Sequence, residues 1–162
     1  MIPDIGTEYF ISDEFYELVI EPFLRKNYEK TKRPHFYIFK EPNTNLFWMV
    51  PCSSKIEKYE AIMQKQIKRR NFVQTIKIVT VNGKKQALVF SDMFPVIDKY
   101  IVAPYKVKGR NIAITYPKLL NELSDIASRV VTLLRNGVRF TPTSPDVLHI
   151  EKLMLAELEQ EE

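Results

Sequence analysis

Asn82-Gly83 separates two runs of β-forming residues, 75–81 and 85–90. Both positions of that dipeptide tolerate positive φ, which a two-residue reversal requires, so the runs pair antiparallel through a tight hairpin. A second reversal, Glu41-Pro42-Asn43-Thr44-Asn45, stands between the apolar runs 35–40 and 46–50. A third, Lys108-Gly109-Arg110, joins 100–107 to 112–115. Tyr9-Phe10-Ile11 adds a short apolar start. Helices fall between and after these hairpins. Ser12 is placed to cap one over 13–19, ended by Glu21-Pro22. Ile56, Tyr59, Met63 and Ile67 recur at helical spacing and predict a helix over about 55–69. Pro117 opens a third, with Leu119, Leu120, Leu123, Ile126, Ala127, Val130, Val131 and Leu134 on one side and Gly137 at its stop. Ser144-Pro145-Asp146 starts a last helix carrying Val147, Ile150, Leu153, Met154 and Leu158. Strands that arrive as hairpins, without regular alternation with helices, argue against a doubly wound sheet. The expected class is α+β: an antiparallel sheet with helices packed on it.

The chain has 162 residues, enough for one domain with its own core, and no repeat or Gly/Ser linker divides it, so residues 1–162 are read as a single domain. Hydrophobic residues make up 45% and aromatic residues 12%, which excludes a disordered polymer. No apolar run approaches the roughly 20 residues of a membrane span, and Met1-Ile2-Pro3-Asp4 does not begin a signal peptide. A lone cysteine, Cys52, excludes an internal disulfide and fits a reducing compartment; a cytoplasmic location is expected. The formal net charge of +4 conceals an asymmetry. Residues 151–162 hold five acids and one base, an acidic tail, leaving a net +8 on residues 1–150. A basic body of this kind suits a polyanionic partner, most simply nucleic acid.

Within that body the stretch Pro51-Cys52-Ser53-Ser54-Lys55 leads from an apolar strand into a basic helix. Two hydroxyls, a lysine and the first N–H groups of a helix can converge on a phosphate. The same residues have a plainer reading: Ser54 and Glu57 have the spacing of a capping box. A cap needs neither a second serine nor a lysine, and a cation at a helix N-terminus opposes the dipole. Lys58, Lys65 and Arg69 continue a basic stripe along the helix, on the side away from Ile56, Met63 and Ile67. His35, in Arg33-Pro34-His35-Phe36-Tyr37, is a candidate for proton transfer beside a phosphate or, more simply, a buried structural histidine. Tyr37 and Lys40, on the hairpin beside the motif, are candidates for base stacking and phosphate contact. Two histidines and one cysteine, none at ligand spacing, do not make a metal site, and neither a metal nor another cofactor is expected. Cys52 is read as a small packing residue.

Taken in order, Tyr9-Phe10-Ile11-Ser12, Arg33-Pro34-His35-Phe36-Tyr37, Phe47 through Tyr59, Ser91-Asp92-Met93-Phe94-Pro95-Val96 and Thr141-Pro142-Thr143-Ser144-Pro145-Asp146-Val147-Leu148 resemble segments of type III toxin–antitoxin toxins, the ToxN/CptN/AbiQ group, and most closely the CptN branch. The resemblance spans about residues 8–153. It implies a fold related to MazF/Kid-type toxins, a compact antiparallel sheet or partial barrel with packed helices. It also implies a phage-defence endoribonuclease that cuts single-stranded RNA without a metal, by attack of the 2′-hydroxyl on the adjacent phosphate. The inhibitor would be a repeated pseudoknot antitoxin RNA that the toxin processes, in a closed toxin–RNA hetero-oligomer, with cellular RNA as substrate and no membrane partner. The family's motif of a proline, an apolar residue, two hydroxyls and a lysine maps onto Pro51, Cys52, Ser53, Ser54 and Lys55. Here the lysine follows the second hydroxyl directly, where some members insert a residue, so Lys55 or Lys58 supplies the ammonium. Ser53, Ser54, Lys55, Lys58 and His35 are the candidate catalytic residues; Arg33, Tyr37, Lys40, Lys65 and Arg69 are the candidate RNA contacts. The alternative is a non-catalytic nucleic-acid-binding regulator that uses the basic helix 55–70.

Overall fold

The computed structural model describes residues 2–24, 27 and 32–161. In chain order the elements are β1 (Glu8–Ile11), α1 (Asp13–Val19), β2 (Pro34–Lys40), β3 (Phe47–Val50), β4 (Cys52–Ser53), α2 (Ile56–Ile67), β5 (Ile76–Val81), β6 (Lys84–Val89), β7 (Phe94–Val96), β8 (Ile101–Pro104), β9 (Lys106–Val107), β10 (Arg110–Asn111), α3 (Pro117–Arg135) and α4 (Val147–Glu161). The class is α+β, as expected, with antiparallel sheets and, among the described residues, no closed barrel. A central five-stranded sheet has the order β7-β3-β2-β1-β8; β4, β6 and β5 form a second sheet, and β9 and β10 a small hairpin. Of residues 25–33, a polar, basic stretch of the sequence, only Asn27, Lys32 and Arg33 are among the described residues.

The two central strands are apolar on both sides because both faces of their sheet are covered. On β2 and β3, Phe36, Ile38, Trp48 and Val50 pack with Leu123, Ile126, Ala127, Val130, Val131 and Leu134 of α3 and with Val79, Val81 and Leu88 of the β5–β6 hairpin. Tyr37, Phe47 and Met49 point the other way, against Phe15, Tyr16 and Val19 of α1 and Ile150 and Met154 of α4. Strand alternation thus feeds two cores from one sheet. A third, smaller core seats α2 on the second sheet through Tyr59, Ile76, Ala87 and Val89. Ile67, assigned to that apolar face from its spacing, is the last residue of α2 and is 56% exposed.

Local chemistry follows the expected devices in most places. Asn82 (φ 51°) and Gly83 (φ 75°) both take the left-handed conformation that the β5–β6 reversal needs. Asp146 caps α4 by accepting the His149 amide at 3.2 Å. Ser12 stands at the N-cap of α1 without a side-chain cap bond. The strand expected over 112–115 does not form. That segment instead runs beside the N-terminus, with the Ile114 amide bonded to the Gly6 carbonyl at 2.8 Å and Thr7 bridged to Ala113. The acidic tail, through Glu161, lies on the expected last helix. That helix, α4, is buried through Ile150 and Met154, and two of its acids neutralise the body: Glu157 pairs with Lys99 at 2.9 Å and Glu151 with Arg135.

Candidate active site

Beyond Pro51 the chain leaves the central sheet and joins the second one. Cys52 pairs with Leu88 and Ser53 with Ala87, so the first half of the motif is a short strand, β4, where the sequence pattern predicts only the approach to a helix. Ser53 Oγ then accepts the Lys55 amide at 3.2 Å, and the Ser54 carbonyl accepts the Ile56 amide at 2.9 Å. These two bonds turn the chain into α2. The helix begins one residue later than a capping box would place it. Lys55 itself is the N-cap, and no side chain caps the first turn, so the Ser54–Glu57 box does not form. The free N–H groups and the Lys55 ammonium therefore stand together at an open helix end.

That end forms one wall of a cleft of about 450 Å³ lined by Glu8, Arg33, Pro34, Cys52, Ser53, Ser54, Lys55, Gln86 and Tyr105. Five elements meet there. Glu8 comes from the start of β1, Arg33 from the approach to β2, Gln86 from β6 and Tyr105 from the link between β8 and β9. The backbone of Glu8 is clamped: its amide donates to the Ile112 carbonyl and its carbonyl accepts the Tyr105 amide, both at 2.9 Å. Its side chain is 6% exposed and accepts a hydrogen bond from the Cys52 thiol at 3.3 Å. Burial pushes the Glu8 carboxyl up to about 7, against the smaller opposing effect of the Cys52 bond.

Of the residues singled out in the sequence, Ser53, Ser54, Lys55 and Arg33 meet in this cleft. Lys58 does not line it; its ammonium lies 5.3 Å from the Tyr59 ring, one turn along α2. His35 lies outside it. The pairing of Glu8 with Phe36 and of Tyr9 with His35 sends Glu8 and His35 to opposite faces of the sheet. His35 is fully buried there, edge-on to Phe94 at 5.2 Å. Tyr37 shares that face, packed edge-on to Phe47 at 5.4 Å, and burial pushes its phenol up to about 12; it offers no ring to a base. Lys40 is at the other end of β2, over the Phe47 ring. Lys65 is exposed on α2, and Arg69 lies beyond its end beside a separate hollow with Arg139 and Phe140.

Glu8, Gln86 and Tyr105 were not found by sequence reasoning. A signal existed for Glu8: an acid inside the apolar strand Glu8-Tyr9-Phe10-Ile11 faces one of the buried sides. Beside the cleft, a larger hollow of about 750 Å³ opens between the β5–β6 and β9–β10 hairpins, lined by Asn82, Lys84, Lys108, Arg110 and Asn111 among others, with no acid among the described residues. Lys84 lies two residues from Gln86 on the same face of β6, so the hollow continues that face of the cleft. Among the described residues, no three His, Cys, Asp or Glu side chains are gathered to hold a metal ion. Among those residues, no helix is long and apolar enough to cross a membrane.

No known family profile matches the sequence, and no curated protein is significantly similar to it. A solved structure is similar over nearly the whole length: AbiQ, described as a lactococcal anti-phage endoribonuclease belonging to a type III toxin–antitoxin system. The two superpose with a TM-score of 0.66 over 98% of this chain and 100% of AbiQ, at 14% identity. The chain has the AbiQ fold. That likeness agrees with the fold class expected from the hairpins and from the ordered motifs.

Proposed function

We propose that this chain is an endoribonuclease toxin of a type III toxin–antitoxin system, placed by its motifs nearest the CptN branch. The observation that carries the reading is the convergence of Ser53, Ser54, Lys55 and Arg33 on one cleft at an open helix N-terminus, in a chain with the AbiQ fold. A phosphodiester seated there meets two hydroxyl donors, backbone N–H groups and two cations. Those groups suit the dianionic phosphorane formed when a 2′-hydroxyl attacks the neighbouring phosphorus. The O2′–P bond forms and the P–O5′ bond breaks, leaving a 2′,3′-cyclic phosphate and a 5′-hydroxyl, with no metal in the step. Each preorganised donor of this kind is worth about 2.7–4 kcal/mol in the transition state. Lys55 is the ammonium we assign, because it lines the cleft and Lys58 does not. Flanking nucleotides pass along Gln86 toward Lys84, Lys108 and Arg110, and Lys58, Lys65 and Arg69 extend the positive surface on the other side.

The partner in this reading is a small repeated pseudoknot RNA that occupies the cleft and is cut by the toxin from its own precursor. Toxin and RNA close into a hetero-oligomer in the cytoplasm. Expression of the chain in bacteria, with and without the DNA upstream of its reading frame, tests this. Growth arrest with new RNA 5′-hydroxyl ends, relieved by the upstream DNA, is expected. Healthy cells with intact RNA and a folded, soluble chain would replace the toxin by the binding-only regulator on helix 55–70.

A further inference from the structure

We infer that Glu8 is the general base that takes the proton from the attacking 2′-hydroxyl; the inference rests on the nuclease reading and completes its site. The cleft otherwise presents donors and cations, Ser53, Ser54, Lys55 and Arg33, which stabilise a developing negative charge. Among the described lining residues Glu8 is the carboxylate, on the same face of the sheet as the motif, and its backbone is pinned by the hydrogen bonds with Tyr105 and Ile112. Its environment is unfavourable for a structural acid. The side chain is 6% exposed, and among the described residues it receives a single hydrogen bond, from a thiol, which is a weak donor. A glutamine would accept the same bond without the cost of burying a carboxyl. Burial holds the carboxyl near 7, the range in which a group can both accept a proton from substrate and release it to water at neutral pH. Among the described residues, the charged or titratable groups that line the cleft with it are the Cys52 thiol from β4, the Arg33 guanidinium from the approach to β2, the Lys55 ammonium from the N-cap of α2 and the Tyr105 phenol.

The O2′ proton moves to the Glu8 carboxylate as the O2′–P bond forms. The P–O5′ bond breaks with its electron pair on O5′, which is protonated by the Lys55 ammonium or by water. Glu8 and Lys55 then exchange protons with solvent.

The test is the pH dependence of kcat/KM on a single-stranded RNA oligonucleotide for the full chain and for Glu8→Gln and Glu8→Asp, with binding of a 2′-O-methyl version of the same oligonucleotide measured in parallel. The wild-type rate is expected to rise with pH along an acid limb with a midpoint near 7, since the base works deprotonated. Glu8→Gln is expected to lose 100-fold or more and to lose the acid limb, with binding changed less than threefold. Glu8→Asp is expected to recover part of the rate with the limb retained. A Glu8→Gln rate within threefold of wild type, or a reduced rate that keeps the acid limb, would overturn the assignment. A folded wild-type chain that cuts no RNA at any pH would overturn the nuclease reading itself, and this role with it.

Discussion

Lys55 occupies a position where stability and function pull apart. A lysine is a poor N-cap: its ammonium offers no acceptor to the free N–H groups and sets a cation against the positive end of the helix dipole. Lys55→Asp therefore stabilises the fold by about 1 kcal/mol, read as a higher urea midpoint at unchanged slope. The same substitution removes cleavage, and Lys55→Ala lowers kcat by about 10²–10³-fold while antitoxin RNA binding, spread over many groups, persists. Lys58→Ala changes kcat little. Glu8 behaves in the same sense, with a pH signature. Its folded pKa, about 7, lies above the ordinary 4.5, so the folded chain holds this proton more tightly than the unfolded one. The resulting contribution to stability is complete below about pH 4.5 and is lost as pH rises through 7. Glu8→Gln escapes that loss: it is more stable than wild type at pH 8, by up to about 3 kcal/mol, and gains nothing below pH 4.5. Thermal unfolding at the two pH values checks this; a Glu8→Gln variant less stable at pH 8 would contradict the burial argument.

At the scale of elements, the sheet and helices were legible where one local rule decided them. Asn82-Gly83 dictated the β5–β6 hairpin, Pro117 and Gly137 bracketed α3, and the apolar runs on either side of the turn at 41–45 marked β2 and β3. What stayed hidden depended on partners distant in sequence. Cys52 and Ser53 become a strand because β6, more than thirty residues later, accepts them as an edge partner. His35 and Glu8 part company because of the register between β1 and β2, which no local pattern specifies. For the same reason, Ser53, Ser54, Lys55 and Arg33 were legible as candidates, whereas Glu8, Gln86 and Tyr105 were not. Two long-range ties hold the elements that frame the cleft. Gly6, at φ 91°, lies so close to the Ile114 carbonyl and to Leu120 that a Cβ there would stand 2.8 Å from Leu120 Cδ2. Gly6→Ala costs on the order of 3 kcal/mol and displaces the start of β1, measured as a lower urea midpoint and reduced cleavage together. At the other end of β2 and β3, on the face covered by α3, Arg135 bonds Glu41 and Glu151 and lies 5.8 Å from the Trp48 ring, whose Nε1 also donates to Glu41 at 2.8 Å. Although burial acts to raise the Glu41 carboxyl, bonds from Arg135 and Trp48 hold it below its usual range. Arg135→Ala costs about 1–2 kcal/mol at neutral pH, after allowance for its partial exposure, and leaves kcat unchanged. The Glu41 part of that difference disappears as pH falls below the carboxylate range.

For the molecule as a whole, charge placement matters more than net charge. Glu151 and Glu157 of α4 are engaged by Arg135 and Lys99, while Lys84, Lys108 and Arg110 line a hollow that has no acid among the described residues. The formal +4 thus understates the field around the cleft. If a single RNA strand follows the face from Gln86 into that hollow, Lys84→Gln, Lys108→Gln and Arg110→Gln together weaken binding of long RNA. They also shallow the slope of log K against log salt by about 2, roughly 0.7 for each phosphate that is no longer neutralised. The central claim is that one cleft on an AbiQ-like fold performs RNA transesterification. The most direct measurement is incubation of the purified chain with an RNA and with a 2′-O-methyl RNA of the same sequence, in EDTA, followed by chemical analysis of the new ends. Cleavage of the RNA alone, leaving 2′,3′-cyclic phosphate and 5′-hydroxyl ends and abolished in Lys55→Asp, is the expected result. Cleavage of both strands, 5′-phosphate ends, or an intact RNA in the presence of folded protein would contradict it.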